Sequence, residues 1–327
     1  MKAVLQRENG GPGVLYIGDA PTPVPGAGEL LIRVRAAALN RADLLQRRGH
    51  YPPPPGATDI LGLEAAGEIA ALGEGVQGWQ VGDPVCVLLP GGGYAQYATA
   101  PAELAMKIPQ GMGFEEAAAI PEAYLTAYLN LFRLGELASG QTVLIHAGAS
   151  GVGTAAIQLA DAAGGRVLAT AGTPEKLAIC RELGAAAVWN YRDGSFRDWA
   201  LRMTDGGGVQ LILDFVGGPY LSDNLRSLAP DGKLVIIGIM GGAKADSVDL
   251  GLLLMKRLSI RATTLRSQPL ETKIALTRAF KDRFWPMFGS GRLRPVVDSI
   301  WDWTQVQEAH AHMEANRNAG KIVLRIF

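Results

Sequence analysis

From residue 142 onward the sequence alternates short apolar, β-rich runs with helical ones. The first such junction, TVLIHAGASGVGTAAIQLADAAG (142–164), narrows the fold more than any other feature. The pitch repeats in RVLATAG before PEKLAICRELG, in VQLILDFVG before YLSDNLRSLAP, and in KLVIIGIMGG. Strands that each hand over to a helix re-enter their sheet parallel to their predecessors, so the alternation predicts an open, doubly wound parallel sheet. LSIRATTLRS (258–267) reads as one more strand. A helix over about 271–289 and a strand–helix–strand finish ending in GKIVLRIF follow it.

Upstream the texture differs. Residues 1 to about 120 are β-rich, with strand-like alternation in LLIRVRAAAL and short apolar runs (GEIAALG, DPVCVLL, AQYATA) between glycine and proline turns. The run YPPPPGAT (51–58) reads as an extended loop, because its four prolines have no amide to donate to a sheet. The change comes near Pro121, where AYLTAYLNLFRLGEL takes a helical period. A chain of 327 residues suits two domains rather than one core. The expected division is a β-rich domain over 1–121, a dinucleotide-type α/β domain over 122–264, and a return to the first domain over 265–327.

Thirty-one basic residues balance thirty-one acidic ones, which offers no general attraction for nucleic acid or an anionic membrane. The N-terminal stretch MKAVLQRENGGPGVLYIG lacks the apolar core of a signal peptide, and no run approaches a membrane span, so a cytoplasmic location is expected. Two cysteines, Cys86 and Cys180, have no metal-like spacing and make no disulfide framework. Of the four histidines, His310 and His312 diverge on a helix and His146 lies inside an apolar strand, so no metal site is expected.

The glycine junction sits after a strand and opens a helix, where free amides and a partial positive charge favour a pyrophosphate. By spacing, Gly148, Ser150 and Gly153 occupy the three positions of a dinucleotide fingerprint, with Gly151 and Val152 between the last two. Gly148 is expected to make the turn and Gly153 to let the helix pack closely. Serine in the middle position departs from the pattern. It is either a hydrogen-bonding partner for cofactor or substrate, or a plain helix N-cap.

The second strand, RVLATAG, ends at Gly172 with no acid to grip an adenosine ribose. Lys176 lies one turn into the next helix and Tyr191 follows the third strand. A glycine leaves room for a 2′-phosphate and a lysine attracts it, so NADPH is favoured over NADH, with Glu175 the opposing signal. A metal-free hydride donor suits acceptors that carry the resulting negative charge themselves. Quinones, which give phenolates, and conjugated enones, which give enolates, both qualify.

These segments resemble a known family. ALNRADLLQRRGHYPPPPGATDILGLEAAGEIAALGEGV is similar to the catalytic domain of medium-chain dehydrogenase/reductases. LLPGGGYAQYATAP, AAAIPEAYLTAYLNL, LIHAGASGVGTAAIQLA, GAAAVWNYR and HMEANRNAGKIVL resemble its zinc-free, zeta-crystallin-like quinone oxidoreductase branch. The resemblance implies a GroES-like catalytic domain interrupted by a Rossmann domain. It also implies NADPH-dependent reduction of a quinone and a homodimer that pairs Rossmann edge strands, for which 258–265 is suited.

Position by position, the resemblance puts Asn40 and Tyr51 at the nicotinamide and substrate and Gly172, Lys176 and Tyr191 at the 2′-phosphate. It puts Gly238, Ile239 and Met240 against the nicotinamide, Leu265 and Arg266 along the pocket, and Asn316 at the cofactor phosphates. Asn40 reads equally as a turn or cap residue and Tyr51 as a proton donor or a pocket wall, while for Lys176 the resemblance makes a merely solvated surface lysine the poorer choice. Two other activities remain open: an enone or alkenal reductase on the same scaffold, and a non-catalytic, crystallin-like or RNA-binding NADPH protein.

Overall fold

The computed structural model describes residues 1–327. It divides into one unit formed by 1–125 and 266–327 and a second formed by 126–265.

The first unit begins with an antiparallel hairpin, β1 (Lys2–Gln6) and β2 (Leu15–Asp19). Then come β3 (Glu29–Ala38), β4 (Glu64–Leu72), β5 (Pro84–Leu88), β6 (Tyr97–Pro101) and β7 (Ala105–Lys107). Residues 51–58 carry no strand, as four prolines require. The second unit holds β8 (Thr142–Ile145), β9 (Arg166–Ala171), β10 (Ala187–Asn190), β11 (Val209–Asp214), β12 (Leu228–Ile236) and β13 (Ser259–Ala262). The chain then returns with β14 (Val297–Asp302) and β15 (Lys321–Arg325).

In the first unit the strands run β14-β15-β3-β4-β5-β7, with β6 also paired to β3. The C-terminal strand is interior: β15 lies antiparallel to β3, Val323 opposite Ala38, and parallel to β14. Alternate residues of β3 (Leu30, Ile32, Val34) enter a core with Ile69, Val85, Val87, Ile322 and Leu324. The helix Leu270–Gly289 turns Phe280, Phe284 and Phe288 inward, one per turn, as a four-residue spacing requires. Tyr124 packs against that stripe with ring centroids 6.2 Å from Phe280 and 5.0 Å from Phe288.

In the second unit all six strands are parallel, in the order β10-β9-β8-β11-β12-β13. Counted within the unit this is 3-2-1-4-5-6, the doubly wound order whose winding reverses between β8 and β11. The central strands are buried on both faces, so Leu144, Leu168, Ile212 and Leu234 sit in near-continuous apolar runs.

Two sequence expectations are shortened here. The 258–267 run is a strand only over Ser259–Ala262. GIMGG does not end a strand: β12 stops at Ile236, and the chain folds back on the loop after β11. Met240 N donates to Phe215 O at 3.0 Å and Gly241 N to Val216 O at 2.8 Å, so those amides are unavailable to a sheet. In the first unit, Phe280→Ala removes a fully buried ring from the aromatic stripe. Urea unfolding is expected to show a loss of about 3–5 kcal/mol.

Candidate functional site

In the second unit the C-terminal ends of the parallel strands collect the predicted cofactor residues. After β8 the chain passes through His146 and Ala147 into the glycine loop. The helix Gly151–Ala162 then starts with Ser150 as N-cap, its Oγ accepting from Gly153 N at 3.0 Å. The left-handed residue of this turn is Ala147 (φ 47°), not Gly148. Gly148 is required for space instead: a Cβ there would lie 2.9 Å from Cys180 Sγ. A Cβ on Gly153 would lie 2.3 Å from Ala147 O, so this glycine does set the close packing of helix on loop. The helix has no acid in its first turn. Its leading amides, Gly151 and Val152 among them, have no acceptor four residues back, which makes this end a fitting place for an anion.

Gly172 follows the last residue of β9, and Tyr191 follows β10, whose Asn190 is in register with Ala171. A Cβ on Gly172 would lie 2.3 Å from Tyr191 Oη, so the glycine makes room for the phenol itself. Thr173 caps the next helix, accepting from Lys176 N at 3.3 Å, which sets Lys176 in the first turn at the same strand ends. The Glu175 carboxyl is held below its usual range by hydrogen bonds from its own amide and Thr173. Gly238, Ile239 and Met240 follow β12 with Ile239 and Met240 exposed, and Leu265 is buried three residues after β13.

Beneath the glycine loop runs a buried polar chain that the sequence reading did not pick out. His146 Nδ1 meets Thr170 Oγ1 at 3.0 Å and its Nε2 meets Asn224 Oδ1 at 2.8 Å. Asn224 Nδ2 then donates to Asp214 Oδ2 at 3.1 Å. Asp214 Oδ1 accepts from Val216 N at 2.7 Å and Gly217 N at 3.3 Å, pinning the loop after β11. Asn224 presents its carbonyl to His146, so the imidazole carries its proton on Nε2 and accepts from Thr170. Burial pushes His146 down to about 4 and Asp214 up to about 6. His146 is therefore a packed, neutral, hydrogen-bonded residue.

The first unit holds a second polar centre around Asn40, which opens the helix Arg41–Arg47. Lys321 Nζ donates to Leu39 O (2.8 Å) and Asn40 Oδ1 (2.6 Å) and pairs with Glu64 Oε1 (2.6 Å). Asn40 Nδ2 donates to Glu64 Oε1 at 2.9 Å and to Ala38 O at 3.3 Å. Both ends of the Asn40 amide are thus engaged by the protein. Asp43 accepts from Asn40 N (2.8 Å), Gly62 N (3.1 Å) and Tyr94 Oη (3.1 Å). Burial nonetheless pushes Asp43 up to about 6.

Tyr51 is half-buried, with the Arg266 guanidinium 5.5 Å from its ring centroid. Asn316 takes a left-handed backbone (φ 52°), and its Oδ1 accepts from Arg41 Nη2 at 2.6 Å. In the first unit Tyr51 thus meets Arg266 and Asn316 meets Arg41, while Asn40 is held by Lys321 and Glu64. Glu64, Lys321, Asp43, Asn224 and Asp214 were missed: Lys321 meets Asn40 and Glu64 from more than 250 positions away, and Asn224 meets His146 from 78, while the nearer partners of Asp43 and Asp214 are mostly backbone amides that residue type does not reveal. An acid inside an apolar strand, as at Glu64 in LGLEAAGEI and Asp214 in VQLILDFVG, is the one signal that pointed to two of them. No group of three or more His, Cys, Asp or Glu side chains is placed to hold a metal ion, and His310 is taken up by Arg47 Nη1 at 3.0 Å.

Comparison with known proteins places this geometry. Residues 26–110 match the family model for the alcohol dehydrogenase GroES-like domain, and 151–281 that for a zinc-binding dehydrogenase. The chain is 32% identical to the human synaptic vesicle membrane protein VAT-1 homolog, covering 93% of this chain and 81% of that one. It is 33% identical to the quinone oxidoreductase of Lama guanicoe, covering 99% and 97%. Among solved structures, a mycobacterial protein complexed with NADPH superposes with a TM-score of 0.89 at 32% identity over the whole of both chains. The CurK enoyl reductase does so with a TM-score of 0.87 at 30% identity, covering 99% of this chain and 98% of that one.

The neutral, enclosed state of His146 is directly measurable. In a histidine NMR titration its ring is expected to stay neutral through the range where an ordinary imidazole charges, with a midpoint at about 4. A midpoint near the ordinary value of about 6.5 would contradict the buried Thr170–His146–Asn224 arrangement.

Proposed function

This chain belongs to the medium-chain dehydrogenase/reductase superfamily, and from there we propose that it is an NADPH-dependent quinone oxidoreductase. The observation that carries the cofactor choice is the end of β9. Gly172 presents no carboxylate, Tyr191 Oη fills the space beside it, and Lys176 stands in the first turn beyond. A 2′-phosphate is welcomed there and a carboxylate would repel it. The residues fit a dinucleotide: an acid-free helix N-terminus whose leading amides have no acceptor within the helix, and a lysine in the first turn of the helix after β9. The likeness to a mycobacterial structure complexed with NADPH supports the same choice.

When bound, the dinucleotide supplies a hydride. The chain's part is to bind, orient and protect. Gly148, Ser150, Gly151, Val152 and Gly153 would hold the pyrophosphate. Gly238, Ile239, Met240 and Leu265 would border the nicotinamide. Asn40, clamped by Lys321 and Glu64, would serve as a rigid wall for ring and substrate, and Tyr51 as an aromatic surface for a flat acceptor. A quinone suits such a site because its reduced oxygen is phenolic and stable. The likeness to the CurK enoyl reductase favours a second reading, reduction of a conjugated enone by the same hydride.

The acceptor and cofactor are tested together. NADPH oxidation is followed with ortho-naphthoquinone, para-benzoquinone and an alkenone, with NADH in parallel. Quinones are expected to show the higher kcat/KM and NADPH to be preferred; a reversed acceptor order would install the enone reading. Lys176→Ala is expected to raise the NADPH KM about tenfold or more, as a hydrogen bond to a charged group is worth about 1.5–3 kcal/mol. The same variant should leave NADH use nearly unchanged, and equal loss with both cofactors would remove the 2′-phosphate role.

The assembly proposed is a homodimer. β13 has one unpaired edge, and the preceding helix Leu250–Lys256 exposes Leu250, Leu254 and Met255 at 71%, 78% and 78%. An open edge beside apolar side chains suits a second copy of the same strand. Light scattering on the eluted protein is expected to give twice the chain mass of 34.5 kDa, and Leu254→Glu with Met255→Glu to give the single mass.

A further inference from the structure

Two ionisable side chains in the first unit, one basic and one acidic, bury polar atoms that have no hydrogen-bond partner, and they are not bonded to each other. Arg266 is only 5% exposed. Its Nε donates to Pro90 O at 2.8 Å, while Nη1 and Nη2 are shut off from solvent with no acceptor. Glu122 Oε2 is buried with no donor. Each feels the other's charge, the guanidinium favouring the ionised carboxyl and the carboxylate favouring the charged guanidinium. Leaving bare N–H groups and a bare carboxyl oxygen inside a protein costs about 1–3 kcal/mol for each group, more when charged, so such orphans call for an occupant.

The surroundings narrow what that occupant is. The guanidinium lies over the Tyr51 ring, 5.5 Å from its centroid, so an aromatic surface borders the unsatisfied N–H groups and suits a flat conjugated molecule. Lys273 Nζ donates to Arg266 O at 3.1 Å, keeping a second cation nearby. Glu122 N donates to Glu64 Oε2 at 2.8 Å, which sets two carboxyls side by side. Glu64 already receives Asn40 and Lys321 on Oε1, so it is the member of the pair supplied with donors. An oxygen that first accepts from a guanidinium and afterwards holds a proton facing a carboxylate satisfies both orphans.

We propose that Arg266 and Glu122 hold the acceptor's oxygen during reduction, Arg266 donating to it as it becomes negative and Glu122 giving it a proton. The proposal rests on the hydride-transfer reading above and deepens it. The step balances: the reduced nicotinamide gives a hydride and is oxidised, and the acceptor gains that hydride's two electrons. The carbonyl π bond, or the conjugated system containing it, yields an oxyanion on the acceptor. The Glu122 O–H bond then breaks as the new O–H bond forms, and Glu122 regains its proton from water.

Burial and the neighbouring Glu64 charge push Glu122 up to about 8, with Asp43 acting in the same direction and Lys321 and Arg266 against it. Lys273, which also faces the carboxyl, is itself lowered by burial. Glu122 therefore carries its proton at neutral pH and loses it as the solution becomes alkaline. The acid-dependent rate is full below about 8 and falls above it.

The test compares Glu122→Gln, Arg266→Lys and Arg266→Ala with the wild type, each first checked for an unaltered thermal transition. Glu122→Gln is expected to lower kcat about a hundredfold with an alkenone, less with a quinone, and to abolish the alkaline fall in rate. Arg266→Ala is expected to lose about a hundredfold, with Arg266→Lys recovering part of it. Two readouts need no turnover. An infrared band of a protonated carboxyl at neutral pH should vanish in Glu122→Gln, and para-nitrophenolate, a mimic of the reduced oxygen, should bind the wild type and not Arg266→Ala. Wild-type turnover with variants that keep its rate and pH profile would overturn the proposal, as would absence of the infrared band. A wild type that reduces neither acceptor class would instead overturn the hydride-transfer reading, and the band and phenolate binding would still decide the pair.

Discussion

One buried ammonium ties the first unit together. Lys321 stands at the start of the last strand, and its three N–H groups reach Leu39 O, Asn40 Oδ1 and Glu64 Oε1. Those partners lie at the end of β3, at the start of the helix Arg41–Arg47, and at the first residue of β4. Residue 321 is thereby fixed to residues 39, 40 and 64, and the C-terminal strand becomes an interior member of a sheet begun near residue 29. A charge this deeply buried is tolerated because every proton has an acceptor. Removing one partner of such a pair typically costs about 3–5 kcal/mol, because the other is left buried and uncompensated. The same contacts engage both ends of the Asn40 amide, so the protein alone holds its orientation.

In the second unit the equivalent constraint is the direction of the strands. Six parallel strands deliver all their outgoing loops to one end of the sheet, and reversal of the winding between β8 and β11 opens a crevice there. Residues spread from 146 to 265 consequently become neighbours of a common edge. The His146–Asn224–Asp214 chain braces this edge from below by linking the ends of β8 and β11 to the helix Leu221–Ser227. Hydrogen bonds between the loops after β11 and β12 brace it from above. Its rigidity comes from polar groups satisfied inside the protein, while the leading amides of the helix Gly151–Ala162 stay open to an anion.

How much could be read from residues alone varied with how local the cause was. The strand-and-helix alternation, the glycine loop and the proline loop depend on neighbours within a few positions, and each lies where the pattern put it. Gly148 shows the limit of local reasoning. The sequence assigned it a turn, whereas the turn is made by Ala147 and the glycine is needed because Cys180, more than thirty positions on, leaves no room for a Cβ. Likewise GIMGG has the apolar texture of a strand end, yet its amides go to Phe215 and Val216 across a loop contact that no periodicity records.

The sequence by itself determined the class of fold, the place of the glycine-rich helix start after β8 and the lack of an acid at the end of β9, because strand period, helix start and residue type are local properties. Only the tertiary structure decided which polar residues meet. It set Lys321 against Asn40 and Glu64, Asn224 between His146 and Asp214, and Glu122 beside Glu64 with Arg266 left unpaired over Tyr51. Those meetings follow from burial and strand order, which bring together charges tens to hundreds of residues apart and make their desolvation, rather than their spacing, the quantity that governs them.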